Sequence, residues 1–207
     1  MIRRIFFKQQ KSFFIRFNST KFENYPNILR DCISNYRSSF QKPENQHEVL
    51  SVPIKMLQEL SSEEIDNIKS KEEYKSIFYE LFRCLQDASF PKDSLDTVDK
   101  LVMDLYKAMK NFDNRDDEFL DVDMYNLVLD TFAIFKSATF FNIVIMDMKD
   151  NQIPIDQETF KSMIKLAVNQ RDYQKAMKIC LIMKKMGFEV DKSVTSLIGG
   201  ENPFMGM

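Results

Sequence analysis

Few side chains in this sequence are suited to catalysis or metal binding. The only histidine, His47, lies in a polar stretch, and we expect it on the surface rather than in an acid–base role. Cys32, Cys84 and Cys180 are far apart and form no CxxC pair, which favours buried thiols in a reducing compartment over a disulfide framework or a zinc site. The sequence contains no Gly-rich phosphate loop and no nucleophile–histidine arrangement. It therefore predicts a protein that is not an enzyme and uses no cofactor, metal or small-molecule substrate.

Carboxylates at alternate positions between residues 111 and 123 suggest a calcium loop at first sight. An EF-hand loop needs a Gly at its sixth position and a bidentate Glu at its twelfth, and neither is present. We therefore interpret this stretch as a solvated acidic turn.

The composition predicts an all-α protein. The chain of 207 residues is 44% hydrophobic, with 19 Phe and 13 Met, which is ample for a core. Four Gly, six Pro and no Trp favour helices with few breaks over a turn-rich β sandwich. Uncharged apolar runs are much shorter than the roughly 18 residues that a membrane span requires, so no integral membrane span is expected.

The N-terminus is basic and contains no acidic residue before Glu23. Aromatic and aliphatic side chains alternate there with cations that include Arg3, Arg4 and Arg16. An Arg-rich, Ser-containing amphipathic stretch is typical of mitochondrial transit peptides, whereas a secretory signal needs an unbroken apolar run. Residues 1–17 are therefore predicted to direct the chain to the mitochondrial matrix. A basic nucleic-acid-binding arm is the alternative interpretation.

Removal of this segment changes the charge of the chain. Processing after residue 17 would leave 24 basic residues against 31 acidic ones, a net charge of about −7. A strongly basic stripe is the usual electrostatic feature of a nucleic-acid binder, so this balance argues against tight, autonomous RNA binding.

A sequence pattern recurs with a period of 35 residues in the C-terminal half. Tyr125-Asn126 recurs as Phe160-Lys161, Met148 as Met183, and Asp156 as Asp191. Each unit has the pattern of two amphipathic helices and a turn, and a third first helix begins at Lys192. Such a period predicts an α-solenoid, in which neighbouring helix pairs bury each other's apolar faces. The predicted segments are a linker or extension with a short helix at Ile28–Tyr36 (18–45), degenerate helical repeats (46–121), regular repeats (122–198) and a C-terminal tail (199–207).

Helical spacing also predicts which side chains face the core. Pro53 is expected to precede a helix at Ile54–Leu60, and Leu95 to begin the inward stripe of a later helix. Gly187 is predicted to be a left-handed C-cap. In the two regular units the predicted core residues are Tyr125, Val128, Leu129, Phe132, Phe141, Val144, Ile145, Met148, Phe160, Met163, Ile164, Ala167, Ala176, Met177, Ile179, Cys180 and Met183.

The 35-residue unit resembles the pentatricopeptide repeat over residues 122–198. That family opens its first helix with an aromatic and a polar residue, as in Tyr125-Asn126, and its second helix resembles Ala176 to Gly187 here. Tetratricopeptide repeats, with a period of 34, have a related shape. The resemblance implies that each repeat reads one base of single-stranded RNA through two residues. Carried over to this chain, the RNA-binding pairs are Asn126 with Asp156, which would suit a uracil, and Lys161 with Asp191.

The chain departs from the family where apolar side chains should sandwich the base. Those positions hold Asp123, Glu158 and Ser193, and carboxylates neither stack on bases nor attract phosphates. Two functions therefore follow. One is a role in mitochondrial gene expression, in RNA maturation, translation or association with the ribosome, with RNA contact shared with mitochondrial ribosomal proteins. The alternative is a protein–protein adaptor or respiratory-complex assembly factor that does not bind RNA directly.

Overall fold

A computed structural model describes residues 25–38, 46–62, 71–88, 90, 95–113, 119–190 and 192–199. Within these residues the fold is all-helical, as the composition predicts. The predicted transit peptide, Asp191 and residues 200–207 lie outside the described residues. The helices are α1 (Tyr25–Ser38), α2 (Gln46–Ser62), α3 (Lys71–Asp87), α4 (Leu95–Asp113), α5 (Val122–Ile134), α6 (Ala138–Asp150), α7 (Gln157–Asn169), α8 (Tyr173–Lys185) and α9 (Lys192–Gly199).

The odd-numbered helices form a row in which each packs against the next, from α1 through α3, α5 and α7 to α9. Each even-numbered helix packs against the odd-numbered helix that precedes it, and α2 also packs against α4.

The last two complete helix pairs have matching geometry. Helices α5 and α7 each have 13 residues and begin 35 positions apart, and the same holds for α6 and α8. The turns repeat at the same interval: Lys136 and Arg171 both have φ of 62°, and Gln152 and Gly187 have φ of 57° and 88°. Gly187 is thus in the left-handed region, as predicted, where Gly is favoured because it lacks a Cβ.

Helix α1 includes the short helix that the sequence predicts within the linker or extension of residues 18–45, and it packs into the core. Its buried side chains Leu29, Ile33 and Tyr36 recur at intervals of four and three and lie in the main core. The segment 25–38 is therefore an integral helix, longer than the Ile28–Tyr36 helix that the sequence predicts.

Helix α2 corrects the prediction that a helix begins only after Pro53. It begins at Gln46 and passes through Pro53, although proline removes one helical hydrogen bond. Leu50, Ile54, Leu57 and Leu60 are all buried on one face, and this burial offsets the local loss.

Two predicted core residues face solvent instead. Leu95, in the first turn of α4, is 44% exposed, and Met177 in α8 is 56% exposed. Helix α8 buries only a narrow stripe centred on Ala176 and Met183, and residue 177 is rotated by about 100° from Ala176.

The acidic turn is anchored to the core at its C-terminal end. Phe119 is buried and stacks on Phe112, with ring centroids 5.5 Å apart. Asp121 then caps α5 by accepting a hydrogen bond from the Met124 amide at 2.9 Å. The prediction of a solvated turn is therefore wrong for residues 119 and 120, whose side chains are buried.

Buried apolar side chains form two clusters in the described residues. The larger cluster extends from α1 to α6 and includes Leu166 of α7. The smaller one lies among α7, α8 and α9, and Met163 of α7 contacts both clusters.

Candidate functional site

The structure brings Asn126 and Asp156 together. Asn126 is in the second turn of α5 and only 7% exposed, while Asp156 is the N-cap of α7. The Asn126 Nδ2 donates to both carboxylate oxygens of Asp156, at 3.0 and 3.1 Å. The two residues that the resemblance assigns to one base are therefore hydrogen-bonded to each other.

Thr159 closes this pair into a three-residue network. Its hydroxyl lies 2.7 Å from Asn126 Oδ1 and donates to it, and its backbone N–H donates to Asp156 Oδ1 at 2.8 Å. Asp156 and Thr159 form a capping box, which satisfies amides at the start of α7 that have no partner within the helix.

The network leaves little hydrogen-bonding capacity for an incoming base. The Asn126 amide already donates to Asp156, and its carbonyl oxygen already accepts from Thr159. A base that bound here would have to replace these bonds in a nearly buried position, and breaking a buried hydrogen bond costs about 1–3 kcal/mol. As it stands, the arrangement joins α5 to α7.

Of the second predicted pair, the structure describes only Lys161. Lys161 occupies the position of Asn126 one unit later, and its Nζ lies 2.8 Å from Glu158 Oε1 on the same helix. Asp191 lies outside the described residues, so its contact with Lys161 stays a prediction.

The positions that should sandwich a base are exposed. Asp123, Glu158 and Ser193 all lie on the solvent side of their helices. Lys165, on the same helix as Glu158, has its Nζ 2.8 Å from Asp130 Oδ1. Two of these three positions thus present carboxylates, and Lys161 and Lys165 each form an ion pair with a carboxylate.

Ion pairs also join the odd-numbered helices nearer the N-terminus. Arg30 pairs with Glu73 and Arg37 with Glu80 between α1 and α3, and Lys75 pairs with Asp121 at 3.2 Å between α3 and the start of α5. A shallow depression of about 550 Å³ lies there, lined by both signs of charge, among them Arg37, Lys75, Glu80 and Asp121. Mixed charge of this kind does not favour a polyanion.

A second polar cluster joins α4, α5 and α6. Asp147 accepts hydrogen bonds from Tyr106 and Lys110 of α4 and from the Tyr125 hydroxyl of α5 at 3.0 Å. Asn151 donates to the Tyr125 hydroxyl at 3.2 Å. Burial alone would raise the pKa of Asp147, but the hydrogen bonds from Lys110, Tyr106 and Tyr125 outweigh it and leave that pKa below its usual value.

The thiols are poorly suited to nucleophilic chemistry. Cys84 is buried, Cys32 and Cys180 are half-buried, and all three are free. Burial raises the pKa of each thiol, which disfavours the reactive thiolate.

Neither a metal site nor a membrane helix is found in the part of the chain that the structure describes. No group of three or more His, Cys, Asp or Glu side chains there could hold a metal ion. None of the described helices is long and apolar enough to cross a membrane.

Sequence reasoning missed the two residues that organise these clusters. Thr159 was detectable as the third residue after an N-cap Asp, a capping-box spacing. Asp147 was detectable as a lone carboxylate within the apolar run Ile143–Met148. Their partners come from helices distant in sequence, and no local pattern specifies them.

Comparison with known proteins gives no relative from which a function could be transferred. No protein-family model, no curated protein and no solved structure matches this chain. Its function must be inferred from its own residues and their geometry.

Proposed function

We propose that this chain is an α-solenoid of pentatricopeptide-like repeats that acts in mitochondrial gene expression as a protein-binding scaffold. The 35-residue interval, common to the helix bounds and the left-handed turn residues, supports the repeat assignment. The continuous row α1–α3–α5–α7–α9 is the arrangement expected of a solenoid. The basic N-terminus supports the mitochondrial matrix as its compartment.

The internally hydrogen-bonded Asn126–Asp156–Thr159 network is the observation that favours a protein partner over direct reading of RNA. In this network the amide that would recognise a base holds two helices together instead. The neighbouring lysines are paired with Glu158 and Asp130, so phosphates would have to compete with carboxylates. RNA contact, where the complex has it, would then come mainly from the partner.

Direct RNA reading is the second candidate, because Asn126 and Asp156 do meet at the positions that the repeat resemblance assigns to a base. The test is fluorescence anisotropy of a uridine-containing single strand with the purified chain lacking residues 1–17. We expect weak binding, with Kd about micromolar or higher, and no change of preference in Asn126→Ala. The matched control is Asn142→Ala, an exposed residue of α6.

Because Asn126→Ala also opens the α5–α7 network, both variants are checked for retained helicity by circular dichroism at the assay temperature. Nanomolar, uridine-specific binding that Asn126→Ala abolishes and Asn142→Ala preserves would refute the scaffold proposal.

The compartment is tested by import into isolated mitochondria. Replacing Arg3, Arg4 and Arg16 with Glu should abolish import, because the membrane potential draws cationic presequences inward. The control reverses three exposed charges elsewhere, at Lys107, Lys149 and Lys192, and should import normally. Equal import of both variants would contradict the matrix assignment.

The partner class is tested by crosslinking in mitochondria followed by purification of the chain. Ribosomal proteins or RNA-processing factors would support a role in gene expression. Recovery of respiratory-complex subunits alone would instead favour the assembly-factor alternative, which uses the same scaffold chemistry.

A further inference from the structure

Helix α8 exposes an unusual amount of apolar surface. Met177 is 56% exposed, Leu181 61%, Ile182 50% and Met186, which follows the helix, 57%. Large apolar side chains clustered on one exposed surface mark an interaction site more often than isolated ones do.

All the charged side chains of this helix are basic. Helix α8 contains Lys175, Lys178, Lys184 and Lys185 and no acidic residue. A rotation of about 100° per residue places Lys178 and Lys185, seven apart, on one line along the helix. The pair Met177 and Leu181 then lies on one side of this line, and the pair Ile182 and Met186 on the other.

Helix stability alone does not explain this lysine line. The helix dipole favours cations in the last turn, which accounts for Lys184 and Lys185, but its effect fades within that turn and does not reach Lys178.

The repeat geometry does not explain it either. Helix α6 is the equivalent of α8 one unit earlier and has Ile143 where α8 has Lys178, and Asp150 where α8 has Lys185. The basic line is therefore a property of this helix and not a requirement of the fold.

We propose that the outer face of α8 docks an amphipathic acidic helix of a protein partner. This inference rests on the proposed scaffold function and specifies its partner. A helix with carboxylates along its centre and apolar side chains on both flanks matches the Lys178–Lys185 line and its two apolar borders in charge and shape. Docking of an amphipathic helix through spaced apolar anchors is a common recognition mode, and Met side chains adapt readily to such a surface.

The arrangement fits a membrane or RNA less well. A helix lying on a membrane buries a continuous apolar face, whereas here the two lysines lie between the apolar pairs and would be drawn into the acyl boundary. Single-stranded RNA would use the lysines, but it would leave Leu181 and Ile182 exposed. The one aromatic ring of α8, Tyr173, is half-buried against the smaller core and does not lie between the lysines.

The test measures binding of fluorescent synthetic peptides to the full chain. The probe is a helix about five turns long, with Glu along its central line and Leu on both flanks. A scrambled peptide of the same composition and a peptide with Lys in place of Glu are compared with it. The wild-type chain should bind the acidic amphipathic peptide and neither of the others.

Charge reversal provides the decisive variant. The double variant Lys178→Glu and Lys185→Glu should bind the acidic peptide about tenfold more weakly or worse, and should acquire binding to the Lys peptide. Both lysines are exposed, so the fold should persist. If the double variant still prefers the acidic peptide to the Lys peptide, the proposal is overturned.

The apolar contribution has a matched control one repeat earlier. Leu181→Ser should weaken binding, whereas Met146→Ser, at the equivalent position of α6 and 64% exposed, should not. Equal loss in both variants would show nonspecific apolar adsorption and overturn the assignment to α8. Two further ligands are tested: vesicles of phosphatidylcholine and phosphatidylserine, and an oligouridine. If either binds the chain more tightly than the acidic peptide does, the face of α8 would be assigned to lipid or to RNA instead.

An experiment on the native complex distinguishes an error in this inference from an error in the proposed function. In native electrophoresis of mitochondrial extracts, the wild-type chain should migrate in a complex that the double charge-reversal variant loses. A complex that survives the reversal would refute the α8 assignment but leave the scaffold function standing. A wild-type chain that migrates alone would refute the scaffold function itself.

Discussion

At the scale of single residues, the buried Asn126 and the half-buried Asp147 both join helices. Asn126 links α5 to Asp156 at the start of α7, and Asp147 collects donors from α4 and α5. Most polar groups that a fold removes from water are hydrogen-bonded, and the bonds of these two residues hold neighbouring helices in place.

Replacement of Asp147 should therefore destabilise the chain. Asp147→Asn removes the charge that Lys110 pairs with and weakens the bonds from Tyr106 and Tyr125, and we expect a loss of about 1–3 kcal/mol. The free energy of unfolding is measured by urea denaturation, with circular dichroism as the signal. Asp150→Asn, an exposed change on the same helix, is the control and should fall within about 0.5 kcal/mol of wild type. Equal stabilities of the two variants would show that the cluster adds nothing.

The same variant has a predicted pH signature. Because the pKa of Asp147 is lowered in the folded chain, its contribution is fully present above the unfolded value of about 3.9 and disappears as pH falls through the folded pKa. Asp147→Asn should therefore make the loss of stability in acid shallower than in the wild type, as measured by urea unfolding across this pH range.

At the scale of helices, the regular units were the most predictable part. The 35-residue pattern predicted the positions of α5 to α8, because period and spacing are properties of the sequence itself. The pairing of Asn126 with Asp156 was instead implied by the family resemblance, which assigns both residues to one base, and their direct hydrogen bond is a finding of the structure. Pro53 was misread as a break, because burial on one face of α2 depends on helices elsewhere in the chain. Thr159 and Asp147 were missed for a related reason, since their roles depend on side chains that converge from other helices.

The narrow buried stripe of α8 makes Ala176 a sensitive position. Ala176 is fully buried against the smaller core, so Ala176→Leu should overpack the interface and cost about 1–3 kcal/mol. Met177→Leu, one residue further along and largely exposed, should leave stability nearly unchanged. Thermal unfolding of both variants distinguishes them. An unaltered melting temperature for Ala176→Leu would show that the repeat register is wrong.

At the scale of the whole molecule, the core is unevenly divided. Among the described residues, the cluster of α7, α8 and α9 has eight buried apolar side chains, against thirty-five in the larger cluster. The local free energy of opening follows buried contacts, so the C-terminal helices should open at lower cost than α3 to α5.

Native-state hydrogen exchange measures this difference directly. Amides of α7 to α9 should exchange faster than those of α3 to α5. Val194→Ala, which removes buried apolar volume from the smaller cluster only, should increase the exchange of α7 to α9 and leave α3 to α5 protected. If the amides of all these helices are equally protected and exchange together in one cooperative opening, the two clusters do not differ in local stability.

The row of odd-numbered helices also has a kinetic consequence. Every substantial contact between described helices joins elements no more than two apart in chain order. Loop-closure entropy is therefore small at each step, and low contact order is associated with rapid folding. A chain with this connectivity can acquire structure in the order in which it emerges from a ribosome or an import channel. Its first helices can pack before α8 has emerged.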